Sequence, residues 1–361
     1  MRKKYILNGR RRALRALALI TSAPFLALSR RVQASFQAAH HLSNGTFRNN
    51  YIGQITKSFS DLMRWRRESP DHPLLSFSLA ANDPAFLRNN RKEATLTWLG
   101  HATLLLQVGG VNILTDPHFS DRASPFSFVG PRRGTPPGIP LDELPNIDIV
   151  LISHNHYDHL DEDSITRLLR RRADTHFCAP LGIRQWLARV GAQHITELDW
   201  GDSVRLNNMQ LTAAPCQHWS SRAPWDRNRT LWASWVVEKP GFRFLFIGDT
   251  GYSQDFSDLG THYGGFDVVA IPIGAYEPRW FMKQAHINPD EAVKIFQDLR
   301  ANTAVATHWG TFQLTDEPMD EPPQKLHAAL KAAGIDKNIF AVFQHGETRS
   351  LARFTETKKT N

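Results

Sequence analysis

The sequence predicts a mixed α/β protein whose sheets are covered by helices, and three observations carry that prediction. From residue 94 onward, short runs rich in β-branched and large apolar residues recur. The first runs are separated by tight turn signals, as in hairpins. The later ones alternate with stretches of helical periodicity, as in sheets with crossover helices. No internal repeat, low-complexity tract or linker is visible in this part of the chain, so residues 93–361 read as one domain.

In order, the strand candidates are "TLTWLG", "TLLLQV", "VNILTD", "IDIVLIS", "LWASWVVE", "FRFLFIGDT", "FDVVAIPIG", "TAVATHWG" and "IFAVF". Gly109-Gly110 turns the chain between the second and third. Helical patterns cover 161–172, 182–190, 289–300 and 322–333. The third has the clearest start, with Asn288 as cap, Pro289 at the first position, and Asp290 and Glu291 in the first turn. Asp161 reads as the cap of the first helix.

Two segments precede the domain. Residues 1–34 hold nine Lys/Arg and no acid, with an apolar run from Ala16 to Leu28 and "VQA" before a cleavage point after Ala34. That is the layout of a signal peptide, and "RRALR" resembles a twin-arginine export signal. It implies an exported protein, periplasmic or membrane-associated; the alternative is an uncleaved leader on the cytoplasmic face of the membrane. Residues 35–92 form an extension with an amphipathic helical pattern in "SFSDLMRWRRES" (58–69) and two Pro-containing segments. It reads as packed against the domain or capping its site.

The net charge of +8 belongs to the leader. Removing nine of the 43 basic residues leaves 34 against 35 acidic ones, so the body is near neutral and offers no basic face for nucleic acid. Cys178 and Cys216 each adjoin an apolar strand-like run and read as buried free thiols, although a single bridge stays open.

Chemistry is concentrated in "LISHNHYDHLD" (151–161), directly after a buried-strand run. Clustered imidazoles and carboxylates are costly to bury unless something pairs with them, and a metal would pair with all of them. His154 and His156 point the same way in extended backbone and can reach one ion. Asp158 and His159 follow in a turn and can face a second. The N/O donor set suits Zn²⁺, with Fe or Mn open. Two ions need further ligands, and isolated candidates stand where apolar runs empty into loops: His218 after "LTAAPCQ", Asp249 after "FRFLFIG", and His308 after "TAVAT".

The set "HNHYDHLD", a later His, the "GDT" Asp and the "HWG" His resembles the metallo-β-lactamase superfamily. The strings "WLGHATLLL", "LTDPHFSDRASP", "GPRR", "APCQHW", "GDTGY", "IPIGAYEPRW" and "HINPDEAV" extend the resemblance to its N-acyl-phosphatidylethanolamine-hydrolysing phospholipase D branch, over about residues 50–350. The resemblance implies a four-layer αββα sandwich and two zinc ions per protomer. It assigns His154, His156 and His218 to one ion, and Asp158, His159 and His308 to the other, with Asp249 bridging. It places His286 beside the metals as a second catalytic candidate with Asp249, able to hold a phosphoryl oxygen or pass on a proton, or else to cap a helix. It implies a hydroxide between the zincs that attacks the phosphorus of a phospholipid at a membrane surface, releasing phosphatidic acid and N-acylethanolamine. Lactam-cleaving relatives carry Cys or Ser at the Asp249 position, so Asp249 favours ester or phosphodiester cleavage.

His101 reads either as fixing a strand turn or as orienting a ligand, and Asp116 either as receiving a ligand His N–H or as starting a turn. Phe126 and Phe128 in "SPFSFVG", Tyr276, and the helix residues Phe59, Leu62, Met63 and Trp65 are candidate lipid contacts. Among Trp219, Trp225, Trp232 and Trp235, the strand-spaced Trp232 reads as core and the set as a candidate acyl channel. Two rival readings remain: a hydrolase of a soluble ester or lactone, and a non-catalytic metal-binding protein. The sequence does not fix the oligomeric state.

Overall fold

The computed structural model describes residues 39–352; the leader, residues 35–38 and residues 353–361 lie outside them. The extension carries helices α1 (Phe59–Glu68) and α2 (Pro84–Asn89). The domain then runs through β1 (Thr95–Gly100), β2 (Thr103–Val108), β3 (Val111–Thr115), β4 (Ile149–Leu151), α3 (Glu162–Arg171), β5 (His176–Pro180), α4 (Arg184–Arg189) and β6 (His194–Leu198). Next come β7 (Ser203–Leu206), β8 (Met209–Ala214), β9 (Ser234–Lys239), β10 (Phe242–Phe246), α5 (Asp255–Tyr263) and β11 (Val268–Pro272). The remainder is α6 (Arg279–Met282), α7 (Pro289–Asp298), β12 (Ala304–Thr307), α8 (Glu321–Ala332), β13 (Phe340–Ala341) and β14 (Thr348–Ser350).

The strands build two seven-stranded sheets, ordered β14-β1-β2-β3-β4-β5-β6 and β13-β12-β11-β10-β9-β8-β7. Each begins as an antiparallel meander and continues with parallel strands: β3 to β6 in one, β10 to β13 in the other. Helices connect the parallel strands except β3 and β4, which are joined by the long loop 116–148 with one 3-10 turn at Leu141–Glu143.

Alternation along the strands shows how the layers stack. Leu104, Leu106, Ile113, Ile149 and Leu151 point into a core shared with Leu211, Ala213, Trp235 and Phe244 of the other sheet. Their neighbours Leu105, Leu114, Val150 and Ile152 point the other way, against Ile165 and Leu168 of α3 and Leu187 of α4. On the far side of the second sheet, Phe256 of α5, Ile295 of α7 and Leu326 of α8 close the fourth layer. Burial on both faces explains why the central strands read as unbroken apolar runs.

The predicted caps are present. Asp161 accepts from the Ser164 N–H at the start of α3, and Asn288 forms a reciprocal capping box with Glu291 at the start of α7. The predicted helix at 58–69 forms as α1, which buries no residue fully. A register shift after Trp98 and the positive φ of Gly100 and His101 bend the chain out of β1 at His101. Both cysteines are buried and free. Among the described residues no helix is long and apolar enough to cross a membrane.

Candidate metal centre

Four loops meet at one edge of the two sheets. The first follows β4 and carries His154 to His159; the others follow β8, β10 and β12 and deliver His218, Asp249 and His308. Close backbone approach makes this possible. A Cβ on Gly248 would stand 2.6 Å from the Ser153 Cβ, so only glycine lets the Asp249 loop lie against the His154 loop. His308 itself sits at φ 61, a strained value for a non-glycine residue and typical of one held for function.

The donor atoms converge in two groups. In the first, His156 Nδ1 lies 2.8 Å from His154 Nε2 and 3.3 Å from His218 Nε2. In the second, Asp158 Oδ2 is 3.3 Å from His159 Nε2 and 3.4 Å from His308 Nε2, and the two nitrogens are 3.3 Å apart. Asp249 stands between them, its Oδ2 3.2 Å from His159, 3.8 Å from His218 and 4.0 Å from His154, its Oδ1 3.0 Å from His308. Donors on a tetrahedral zinc at its usual bond lengths stand roughly 3.4 Å apart.

Partners on the far side set the tautomers. His159 Nδ1 donates to Asp116 Oδ2 at 2.7 Å, and His218 Nδ1 donates to the Ala285 carbonyl at 2.9 Å. Asp116 also accepts from the Ser153 hydroxyl, whose oxygen lies 2.9 Å from His154 Nδ1. The inward Nε2 atoms are thereby left to ligate. His101 Nε2 reaches Asp158 Oδ2 at 2.9 Å, and its carbonyl accepts the His308 N–H at 2.9 Å. His101 thus touches two candidate ligands, Asp158 and His308, and Asp116 receives the N–H of a third, His159.

Electrostatics sharpen the demand for cations. Burial holds His154 well below its usual range, and pushes His156, His218 and His286 down to about 3. Burial would also lower His159 and His308, but Asp249 and Asp158 outweigh it, raising His159 well above its usual range and His308 to about 9. Burial alone would protonate Asp158 and Asp249, yet His159 and His308 hold both well below the usual carboxylate range. Two buried carboxylates facing a ring of imidazoles thus draw positive charge, as protons or as metal. The donor set fits metal: inward nitrogens held as acceptors, carboxylate oxygens beside them, and buried Asp249 Oδ1 with no aligned hydrogen bond despite its nearness to His308.

Residues 111–309 match the Beta-lactamase superfamily domain. The N-acyl-phosphatidylethanolamine-hydrolyzing phospholipase D 1 of Caenorhabditis elegans is 44% identical over 247 residues, covering 65% of this chain and 69% of the relative. The chain belongs to the metallo-β-lactamase superfamily, in the N-acyl-phosphatidylethanolamine-hydrolysing phospholipase D branch. The mitochondrial enzyme of that description from Saccharomyces cerevisiae is 37% identical over 251 residues, 68% of this chain and 53% of its own. Among solved structures, the metallo hydrolase Igni18 of Ignicoccus hospitalis shares the fold at a TM-score of 0.55 and 21% identity, covering 72% of this chain and 99% of its own.

Other residues fall into place around this metallo-β-lactamase-fold centre. His286 Nδ1 is 3.8 Å from Asp249 Oδ2, with its side chain 15% exposed at the mouth. Phe126 (54% exposed) and Phe128 (78%) pack on each other, ring centroids 5.6 Å apart, on a loop rooted at Arg133. The Arg133 guanidinium lies 4.8 Å over Phe312, whose ring packs 5.2 Å from His101. Tyr276 is not at an open surface: it is buried, and its hydroxyl donates to Glu321 at 2.6 Å. Trp232 and Trp235 are core, Trp225 is exposed, and Trp219 alone of that set packs on a candidate ligand, 4.3 Å from His156.

Two contacts had no sequence signal. Arg222 donates to the carbonyls of Asn155 and Leu160 and stacks on Tyr157, clamping the histidine loop from outside. Asn49, in the extension, bonds the backbone of His218.

Proposed function

We propose that this metallo-β-lactamase-fold hydrolase holds two zinc ions and cleaves the phosphodiester of N-acyl-phosphatidylethanolamine-type phospholipids to phosphatidic acid and N-acylethanolamine. The observation that carries the reading is the pair of convergent donor groups with Asp249 between them, in a chain 44% identical to a relative named for that reaction. His154, His156 and His218 would hold one ion, and Asp158, His159 and His308 the other, with Asp249 reaching both.

Zinc at these positions supplies an acidified water as nucleophile and draws charge from the phosphoryl oxygens. The chain does the rest. Asp116, Ser153 and His101 fix the orientation of the ligands. Asp249 keeps a carboxylate where two cations would otherwise repel. His286, whose ring is held by no hydrogen bond among the described residues, is free to donate a hydrogen bond from its ring N–H to a phosphoryl oxygen or to the departing alkoxide.

A lipid substrate also needs apolar surface beside the site. Phe126, Phe128 and Val129 on one loop, and Phe59 (77% exposed), Leu62 and Met63 on α1, offer it. Trp65 faces inward instead, stacking on Phe281 and donating to Asp316. We read these residues as contacts with a membrane surface, and the leader as an address for export to it.

The test offers the purified protein phospholipids in vesicles, short soluble phosphodiesters, lactones and cyclic nucleotides, with and without chelator. Cleavage of the N-acylated phospholipid that chelator abolishes supports the reading, and lactone turnover alone refutes it. Phe126→Glu with Phe128→Glu should impair vesicle-borne substrate far more than the soluble phosphodiester; equal losses would remove the loop from the lipid path.

A further inference from the structure

Resting on the dinuclear reading above, we infer that Asn49 of the N-terminal extension is a positioning residue for the first ion, so that the extension completes one half of the metal centre and not the other.

The turn at Asn49–Gly53 presents a buried amide directly to His218. Asn49 Oδ1 accepts the His218 N–H at 2.9 Å, and Asn49 Nδ2 donates to the His218 carbonyl at 3.0 Å. The second Nδ2 hydrogen goes to the Gly53 carbonyl at 2.9 Å, and the second Oδ1 lone pair, 3.1 Å from Trp232 Nε1, shares that indole N–H with the Cys216 carbonyl at 3.0 Å. All four hydrogen-bonding positions of the amide are used, so its orientation is fixed, and only asparagine matches two donors and two acceptors at this reach. The His218 ring is held separately, by the Ala285 carbonyl. With backbone and ring both tied, His218 Nε2 has little freedom to leave the site.

A second strand of support runs to His156. The Ile55 carbonyl accepts from Arg227, whose guanidinium lies 4.2 Å over Trp219, and the Trp219 ring packs 4.3 Å from His156. The segment is moored beyond these points by His40 and His41, which bond the two oxygens of Asp199 at 2.6 and 2.7 Å, and by Phe47 N–H on the Asn228 carbonyl. Toward Asp158, His159 and His308 the extension makes no direct hydrogen bond among the described residues: the Phe77 ring packs on Trp309 and His345, and the Phe77 N–H donates to Thr135 Oγ1, which donates to the Gly310 carbonyl. Among the described residues, His218 is the one candidate ligand that the extension hydrogen-bonds directly.

Residues that orient ligands from behind are typically worth 10- to 100-fold in metal affinity. Metal-free protein titrated with Zn²⁺ against a chromophoric chelator reads both affinities, and stoichiometric Co²⁺ reports the coordination spectrum at each. Asn49→Ala should bind one ion as the parent does and the other about 10- to 100-fold more weakly, with a changed spectrum for that ion only. Asn82→Ala, which removes an extension bond to the Gly138 carbonyl remote from His218, should bind both as the parent does. Should Asn49→Ala not fold, Arg227→Leu tests the same group through Trp219. Parent-like binding of both ions by the Asn49 and Arg227 variants, or equal weakening of both ions, overturns the inference. A parent chain that binds no metal overturns the dinuclear reading instead.

Discussion

Replacing Asp116 by Asn tests the centre with the smallest change in shape. The carboxylate is fully buried; Oδ1 accepts the Ser153 N–H at 2.7 Å, and Oδ2 accepts from the Ser153 hydroxyl and from His159 Nδ1. A backbone N–H cannot reverse, so the Asn oxygen must stay at the Oδ1 position and the NH₂ must take Oδ2. That NH₂ faces two donors. His159 can relieve the conflict only by accepting at Nδ1, which puts its hydrogen on Nε2 and turns the ligating atom away from use. The Ser153 hydroxyl must reverse too, which disturbs His154 Nδ1, 2.9 Å away. A charge-assisted hydrogen bond is worth about 1.5–3 kcal/mol, and at about 1.4 kcal/mol per decade that is roughly a 10- to 100-fold loss of metal affinity. Because one carboxylate steers ligands of both groups, the loss should fall on both ions, unlike that of the Asn49 variant. Chelator competition measures it, with circular dichroism to confirm the fold. Unchanged affinity for both ions in a folded Asp116→Asn variant would refute the tautomer argument.

Three further outcomes follow from the same geometry. Asp249→Asn keeps the side-chain volume but not the charge between the groups; it should fold, lose most turnover and retain less than its full metal, and parent-like turnover would show that Asp249 does not serve both ions. Deleting residues 1–34 should leave a soluble chain with its hydrolysis intact, because residues 39–56 supply the bonds to Asp199, His218, Asn228 and Arg227; deleting through residue 56 should cost metal and stability, and equal behaviour of the two truncations would contradict the contacts. Burial pushes the Cys178 thiol up to about 12 and raises Cys216 as well, so both are protonated at pH 8 and neither should react with a thiol reagent until the chain unfolds; fast labelling of the folded protein would count against their burial.

What was legible in the sequence follows where burial is symmetrical. Most central strands are covered on both faces and announce themselves as apolar runs; the interior β5 and β8 were not among the strand candidates, and β6, β7 and β14 lie at sheet edges with half-open faces and carry polar residues that hide them. Helix α5 was hidden by Gly260, whose Cβ would stand 2.0 Å from the Asp298 carbonyl; tight packing on α7 requires the residue that lowers helix propensity. The histidine loop was legible because its donors are neighbours in the chain, and His218, Asp249 and His308 because each ends an apolar run. Asn49 was not, since its meaning lies in a partner 169 positions away. Aromatic identity alone did not separate the exposed Phe128 from the enclosed Tyr276.

The repetition in the two sheets bears on how the molecule melts. β1 to β6 and β7 to β13 are two similar halves, and neither owns a complete donor group: His154 and His156 come from the first half and His218 from the second, just as Asp158 and His159 come from the first and His308 from the second. Each ion would act as a rivet across the seam. Stripped of both, the halves keep their shared apolar face, the Arg222 bonds to the histidine loop and the His308 N–H bond to the His101 carbonyl, and calorimetry can read whether these hold them to one transition or leave two. Loaded, neither half can open without releasing two rivets, and the chain should unfold in one sharp step. If two are left, metal supply decides whether this protein behaves as one cooperative body or as two.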